Sequence, residues 1–275
     1  MSSVIITGAG SGIGASTALH LDRLGWRVFA GVHDAGEDAD ILARQSSERM
    51  TVLPLDVTVE SSVESFVATV EKEVGPAGLT AVVNNAGEGV AGPLETLPID
   101  ALRQQFEVNV IGPIRLTQQA LPLLRRAPGG RVVFVGSIGG LVAVQFAGAY
   151  HASKYAIEAI GDAWRQELAP DGIHVAIVEP GPTSTPLWSK AAHTLDRLPP
   201  NERYQERLDK FRETLQRQGK DGGGPHAIAE LIAHAVTSER PKTRYAGGLA
   251  ANVVPRVRRL LPDRLYDKLA RRASA

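Results

Sequence analysis

Six short runs, nearly all apolar and rich in β-branched residues, recur along the first 180 residues: SVIIT (3–7), RVFAGV (27–32), MTVLPL (50–55), LTAVVN (79–84), GRVVFVG (130–136) and IHVAIVE (173–179). A strand wet on one face alternates polar and apolar residues. An uninterrupted apolar run belongs to a strand covered on both faces, as in a parallel sheet. Stretches of helical periodicity lie between the runs, at 13–24, 38–46, 60–74, 98–126 and 150–169. Strand–helix alternation of this kind predicts an α/β fold: a doubly wound parallel sheet with helices on both faces.

The texture changes after Glu179. PGPTSTPLWSK reads as a loop, 187–220 as charged helix interrupted by LPPNE, GKDGGGP (219–225) as a break, and 225–238 as a further helix. Nothing before residue 180 looks like a linker, so residues 1–275 are expected to form one domain. Within it 187–224 forms an insertion at the C-terminal edge of the sheet, where α/β folds bind ligands. Lys plus Arg equals Asp plus Glu at 30 each, so no net field draws nucleic acid. The chain has no cysteine, which excludes disulfides, thiolate chemistry and Cys-based metal sites. No apolar run reaches the ~18 residues of a membrane span. The N-terminus enters a strand at once, without a signal-peptide core. A cytoplasmic location is therefore expected.

Gly8, Gly10, Gly12 and Gly14 fall directly after the first run and at the start of a helix. Glycines there allow a tight turn and close backbone approach to a pyrophosphate, which the helix N-terminus attracts. A glycine-rich turn without a ligand remains the plainer alternative. In GAYHASKYAIEA (148–159), Tyr150 and Lys154 are four apart and share a helix face. A neighbouring cation favours the phenolate and lowers a tyrosine pKa, which equips the phenol to exchange a proton with an alcohol or carbonyl oxygen. Tyr155 points about 100° away from Lys154 and is expected against the core. Taken alone, Ser137 after a strand reads as a turn residue, and Asp56 as a cap or turn residue. His33 and His151 have no partner at metal-ligand spacing, so no metal is expected.

With TGAGSGIG (7–14), NNAG (84–87), Ser137, Tyr150-His-Ala-Ser-Lys154 and PG (180–181) in order, the chain resembles the short-chain dehydrogenases/reductases, a Rossmann-type family. GRVVFVGSIGGLVA, SKYAIEA, VEPGPTSTPL, RLPP (197–200) and PKTRYAGG (241–248) are similar to its retinol- and hydroxysteroid-dehydrogenase group, which also includes 3-hydroxybutyrate dehydrogenases. The resemblance implies an NAD(P)-dependent oxidoreductase acting on an alcohol or carbonyl. Tyr150 would be its acid/base, Lys154 the residue that lowers the Tyr150 pKa and holds the ribose, and Ser137 the ligand of the substrate oxygen. Asn109 would position Lys154 through a water. The resemblance also implies cofactor contacts at Gly8, Ser11, Gly12, Ile13 and Gly14, with Gly10 an extra glycine. Further contacts are implied at His33, Asp56, Val57, Asn85, Ala86, Gly87, Tyr150, Lys154, Pro180, Gly181, Thr183 and Thr185.

An acid holding a ribose 2′-hydroxyl would belong at the end of the second strand. By the resemblance Val32 occupies that position, followed by His33 and Asp34, with no Lys or Arg to meet a 2′-phosphate. Both NAD and NADP stay open, with a lean to NAD because Asp34 would repel the phosphate. The substrate is expected to be bulky and apolar (retinoid-, steroid- or lipid-like), covered by Leu187, Trp188 and the helices up to 220. The rivals are a 3-hydroxyacid dehydrogenase, a cofactor-recycling lyase or epimerase, and a non-catalytic nucleotide-sensing protein on the same fold. At 253–272, Val257, Leu260, Leu261, Leu265 and Leu269 share one helical face beside a basic complement: Arg256, Arg258, Arg259, Arg264, Lys268, Arg271 and Arg272, against Asp263 and Asp267. Pro255 and Pro262 are expected to break this run. Its apolar face is expected to dock on its own domain or a second subunit, giving a soluble homo-oligomer, dimer or tetramer, with at most weak membrane contact.

Overall fold

A computed structural model describes residues 1–33 and 36–273, without the side chains of residues 38, 272 and 273. In chain order the elements are β1 (Ser3–Thr7), α1 (Gly12–Arg23), β2 (Arg27–Val32), α2 (Glu37–Gln45), β3 (Met50–Pro54), α3 (Glu60–Val74), β4 (Ala81–Asn84), α4 (Ile99–Phe106), α5 (Gly112–Leu124), β5 (Arg131–Val135), α6 (Gly148–Glu167), β6 (His174–Pro180), α7 (Leu187–Asp196), α8 (Gln205–Asp221), α9 (Pro225–Thr237), β7 (Arg244–Gly247), α10 (Leu249–Leu260) and α11 (Asp263–Ala273). The strands form one sheet in the order β3-β2-β1-β4-β5-β6-β7, and every pair is parallel.

Alternate residues of each strand serve opposite faces, which explains the continuous apolar runs. Val4, Ile6, Val28 and Ala30 pack with Leu21 of α1 and Ile228 and Ile232 of α9. Ile5, Phe29, Val82 and Phe134 pack with Phe66 of α3, Leu116 of α5 and Ile157 of α6 on the other face. Phe29 and Phe134 are essentially inaccessible, and cutting either back to alanine would cost about 3–5 kcal/mol. The chain winds outward from β1 to β3, then returns to place β4 on the other side of β1. That reversal opens a crevice at the C-terminal ends of β1 and β4, the place such sheets offer to ligands.

Three features differ from the expectations. β7 is a seventh strand; its four residues, RYAG, are too short and mixed for a periodicity signal, and pairing with β6 defines them. The expected helix over 98–126 is interrupted at 107–111 by a turn of π-helix, in which the Gly112 N–H bonds to the Glu107 carbonyl. Pro113 has no N–H to give, so a regular α ladder cannot run through this point. The wider turn carries Asn109 and Val110 into the interior. Pro255 lies inside α10 and does not break it; the break falls at Pro262.

Candidate active site

The glycine loop is built for close backbone approach. Gly8 and Gly12 take positive φ, at 61° and 56°. A Cβ on Gly8 would stand 2.9 Å from the Ala86 Cα, and one on Gly14 would stand 2.1 Å from the Gly8 carbonyl oxygen. The end of β4 locks this turn. The Thr7 hydroxyl accepts the N–H groups of Asn85 and Ala86, and the Asn85 amide donates to the carbonyls of Thr7 and Gly8. The three glycines are thus required by sterics, and the loop leaves a backbone-lined floor at the start of α1.

That floor is one end of a cavity of about 1060 Å³. Of the expected residues, Gly8, Ser11, Gly12, Ile13, His33, Asp56, Val57, Asn85, Ala86, Gly87, Ser137, Tyr150, Lys154, Pro180, Gly181, Thr183 and Thr185 all line it, with Gly10 beside them. Gly14 and Asn109 stand behind the wall. The cavity's volume and its glycine floor suit a dinucleotide.

Ser137, at the end of β5, and Tyr150 and Lys154, on α6, meet at its centre. The Ser137 hydroxyl accepts the Gly139 N–H at 3.0 Å, a turn-capping role, and stands near enough to the Tyr150 phenol to favour its ionised form. Lys154 is buried; its ammonium donates to the Val135 carbonyl at 2.9 Å and stands 5.9 Å from the centre of the Tyr150 ring. Burial pulls Lys154 down to about 8, opposed by Glu158 one turn away. The expected depression of the Tyr150 pKa is not found in the protein alone. Burial pushes the phenol up and outweighs the effect of Ser137, while Lys154 turns its ammonium to a carbonyl. Tyr155, expected in the core, is instead 45% exposed. The sheet-facing side of α6 is taken by Ile157, Glu158 and Gly161, which turns Tyr155 outward.

Asn109 is bonded directly to the loop after β4 and to α6. Its side-chain oxygen accepts the Glu88 N–H at 2.9 Å, and its amide donates to the Glu88 carbonyl and the Ser153 hydroxyl, each at 3.0 Å. The Ser153 hydroxyl donates to the Tyr150 carbonyl. The Asn109 side chain therefore ties the loop after β4 to the helix that carries Tyr150. Gln105, one turn earlier and wholly buried, holds the same loop from α4, accepting from the Val90 N–H and donating to the Glu88 carbonyl. Sequence reasoning missed Gln105, although its i, i+4 spacing to Asn109 on a common helix face was a usable signal. A Cβ on Gly87 would lie 3.4 Å from the Asn109 side-chain oxygen and 3.8 Å from the Lys154 nitrogen, so the three converge.

At the far end of the floor, Asp56 accepts the N–H and hydroxyl of Thr58, and its other oxygen stands 3.5 Å from the His33 ring. Burial works against its ionisation, but the Thr58 bonds and His33 together hold the carboxyl below its usual value. The turn role and the cavity-lining role hold together. Asp34 lies outside the described residues. His151 gives a nitrogen to the Gly139 carbonyl at 2.9 Å, so that nitrogen carries the proton. Burial lowers the His151 pKa, and its other ring nitrogen is buried without a partner.

The opposite end of the cavity is made by side chains. α7 and α8 form a hairpin whose own core, Ala191, Ala192, Leu195, Phe211 and Leu215, packs on Ala91 and Phe146. Leu187, Trp188, Phe211 and Leu215 face the cavity with Val142, Val144 and Ala147 from the loop before α6. Residues 182–184 pair with Gly223 and clamp the hairpin's base. The Trp188 indole N–H donates to the Thr183 carbonyl at 2.6 Å.

The model of the short chain dehydrogenase family matches residues 2–196. The NADPH-dependent 3-dehydrocapnine reductase of Ornithobacterium rhinotracheale is 34% identical, over 96% of this chain and 94% of that protein. Retinol dehydrogenase 5 of Mus musculus is 36% identical, over 96% of this chain and 86% of that protein. A solved short-chain dehydrogenase from Streptomyces avermitilis superposes with a TM-score of 0.80 at 30% identity, covering 98% of each chain.

Proposed function

The chain belongs to the short-chain dehydrogenase family and is an oxidoreductase acting on alcohols and ketones; from that premise we propose that it interconverts a bulky, apolar alcohol and its carbonyl compound with NAD or NADP. When bound, the cofactor supplies or accepts the hydride. The protein's part is binding, orientation and the proton. Ser137 hydrogen-bonds the substrate oxygen, and the Tyr150 phenol exchanges a proton with it. Lys154 holds a positive charge beside the phenol and reaches the ribose. Asn109 and Gln105 hold the loop after β4 that runs beside these groups. The observation that carries the reading is that Ser137, Tyr150 and buried Lys154 line one cavity together, between a glycine floor and an apolar wall.

The apolar wall supports a retinoid-, steroid- or lipid-like substrate. Phe211, Leu215, Trp188 and Leu187 come from the hairpin at 187–224, which serves as a lid within the single domain 1–275. Lys190, also on the hairpin, lines the cavity within electrostatic reach of Glu88. Lys190 favours a second reading, a 3-hydroxyacid whose carboxylate it would meet. Turnover of a long-chain alcohol panel against 3-hydroxyacids, followed by nicotinamide absorbance, tests the two. Higher kcat/KM on the apolar panel supports the first reading, and activity confined to the acids replaces it.

The cofactor is NAD in this proposal. Asp56 and Glu37 line the adenosine end, and His33 is the one basic side chain there among the described residues. Two acids oppose a 2′-phosphate, although the similar dehydrocapnine reductase is NADPH-dependent by name. A kcat/KM preference for NADP of roughly tenfold or more would overturn this choice. No described helix is long and apolar enough to cross a membrane. A cytoplasmic homo-oligomer, dimer or tetramer, belongs to the same proposal and is checked by light scattering.

A further inference from the structure

The face of α10 and α11 that was expected to be covered is open. Leu260 is 83% exposed and Leu249 80%, with Val253, Val257, Leu265 and Leu269 all between 43 and 45%. These six sit within about 20 residues, while the other exposed large apolar side chains are scattered over α1 to α6 and the loops. Scattered singles are ordinary; a concentration on one pair of helices marks a contact surface.

The charges on the same helices narrow what the contact is. In sequence, Arg256, Arg258, Arg259, Arg264, Lys268, Arg271 and Arg272 stand against Asp263 and Asp267, a net of +5 from seven bases and two acids. Asp263 is already taken by Arg258 at 2.6 Å. A two-fold contact with a second copy would set this patch against itself, apolar on apolar but also +5 on +5, which is repulsive. The underside of α10 is already seated, with Ala251 buried and Ala250 and Val254 in the wall of the main cavity. An acidic lipid surface meets both properties at once: acyl chains take the leucines, and headgroups take the arginines and the lysine.

We propose that α10 and α11 dock the protein on anionic membrane surfaces, through Leu249, Val253, Val257, Leu260, Leu265 and Leu269 and their basic flank. The face borders the cavity mouth. The Tyr266 hydroxyl of α11 bonds to the Ala143 carbonyl at 3.3 Å, and the residues on either side, Val142 and Val144, line the cavity. An apolar alcohol dissolved in the bilayer would thus enter without crossing water. This route rests on the reaction proposed above; the docking does not.

Flotation of the full chain with vesicles at about 0.15 M salt tests it, because screening weakens attraction at a distance while apolar insertion persists. The protein is expected to float with phosphatidylcholine–phosphatidylglycerol vesicles and to stay behind with phosphatidylcholine alone. Leu260→Asp and Leu265→Asp should each lower vesicle affinity roughly tenfold. Both should leave cofactor Kd and turnover of a short, water-soluble alcohol unchanged. Failure to float with the acidic vesicles overturns the proposal. So does a drop in oligomer mass for Leu260→Asp with flotation unchanged, which would make the face a subunit contact. Absence of turnover with every alcohol would retire the proposed reaction and leave the flotation result to stand on its own.

Discussion

The two ends of the cavity are made from different material. At the glycine end the wall is backbone: positive-φ turns, the Thr7–Asn85 lock and the N-terminus of α1. At the hairpin end it is side chains, Trp188, Phe211 and Leu215 among them, hung on two helices with a small core of their own. A backbone wall admits one shape of ligand and is intolerant of an added methyl group. A side-chain wall can be re-cut by substitution. One fold can in this way keep a fixed cofactor seat and vary its substrate.

Substitutions that strike one end and spare the other test that division. Short of the reacting tyrosine itself, the largest effect is expected from Gly14→Ala. Its methyl group would fall 2.1 Å from the Gly8 carbonyl oxygen and 2.5 Å from the Asn85 amide. Cofactor affinity, read by titration of nicotinamide fluorescence, should fall by about a hundredfold or more. An affinity within a few-fold of wild type would mean that the loop is not the seat. Phe211→Ala on α8 should do the reverse, raising KM for a bulky apolar alcohol about tenfold by removing buried ring area. Cofactor Kd should hold, and the hairpin should become easier to nick with protease. Equal shifts in both constants would erase the division.

A smaller effect is expected at Glu158, outside both ends of the cavity. Glu158, on α6 behind Gly136, is buried beside Glu179 and pairs with Arg244 at 3.1 Å. Burial, then Glu179, push its carboxyl up from 4.5 to about 7 against the pull of Arg244. The folded state therefore holds this proton more tightly than the unfolded chain does. The stability it contributes is full below pH 4.5 and is lost as pH rises through about 7, a change of about 3 kcal/mol. Glu158→Gln should flatten the fall in Tm between about pH 5 and 8. An unchanged slope in the variant would assign the fall to other groups.

What was legible in the sequence follows the same line. Buried parallel strands and a glycine turn leave a signal because local sterics dictate residue type. Six strands and the glycine turn were read from that signal. β7 was missed because four residues of mixed character take strand form only from their neighbour β6. The π turn at 107–111 was missed because its cause is the Gly112-Pro113 pair inside an otherwise good helical pattern. The role of Asn109 as a tie to Glu88 and Ser153 depends on contacts more than 20 residues away. The Tyr150–Lys154 spacing was visible, but not that burial would raise the phenol while the ammonium turned to Val135. Exposure of the C-terminal leucines was equally invisible, since an amphipathic pattern does not say what covers it.

The central claim is that proton transfer passes through the Tyr150 phenol in this cavity. Tyr150→Phe and Tyr155→Phe remove one hydroxyl each, five residues apart on one helix. Turnover and cofactor Kd are to be measured for both variants beside the wild type. The account predicts that Tyr150→Phe loses about a hundredfold to ten-thousandfold in turnover with cofactor Kd nearly unchanged, while Tyr155→Phe keeps most of its activity. Turnover by Tyr150→Phe comparable to that of the wild type would contradict it.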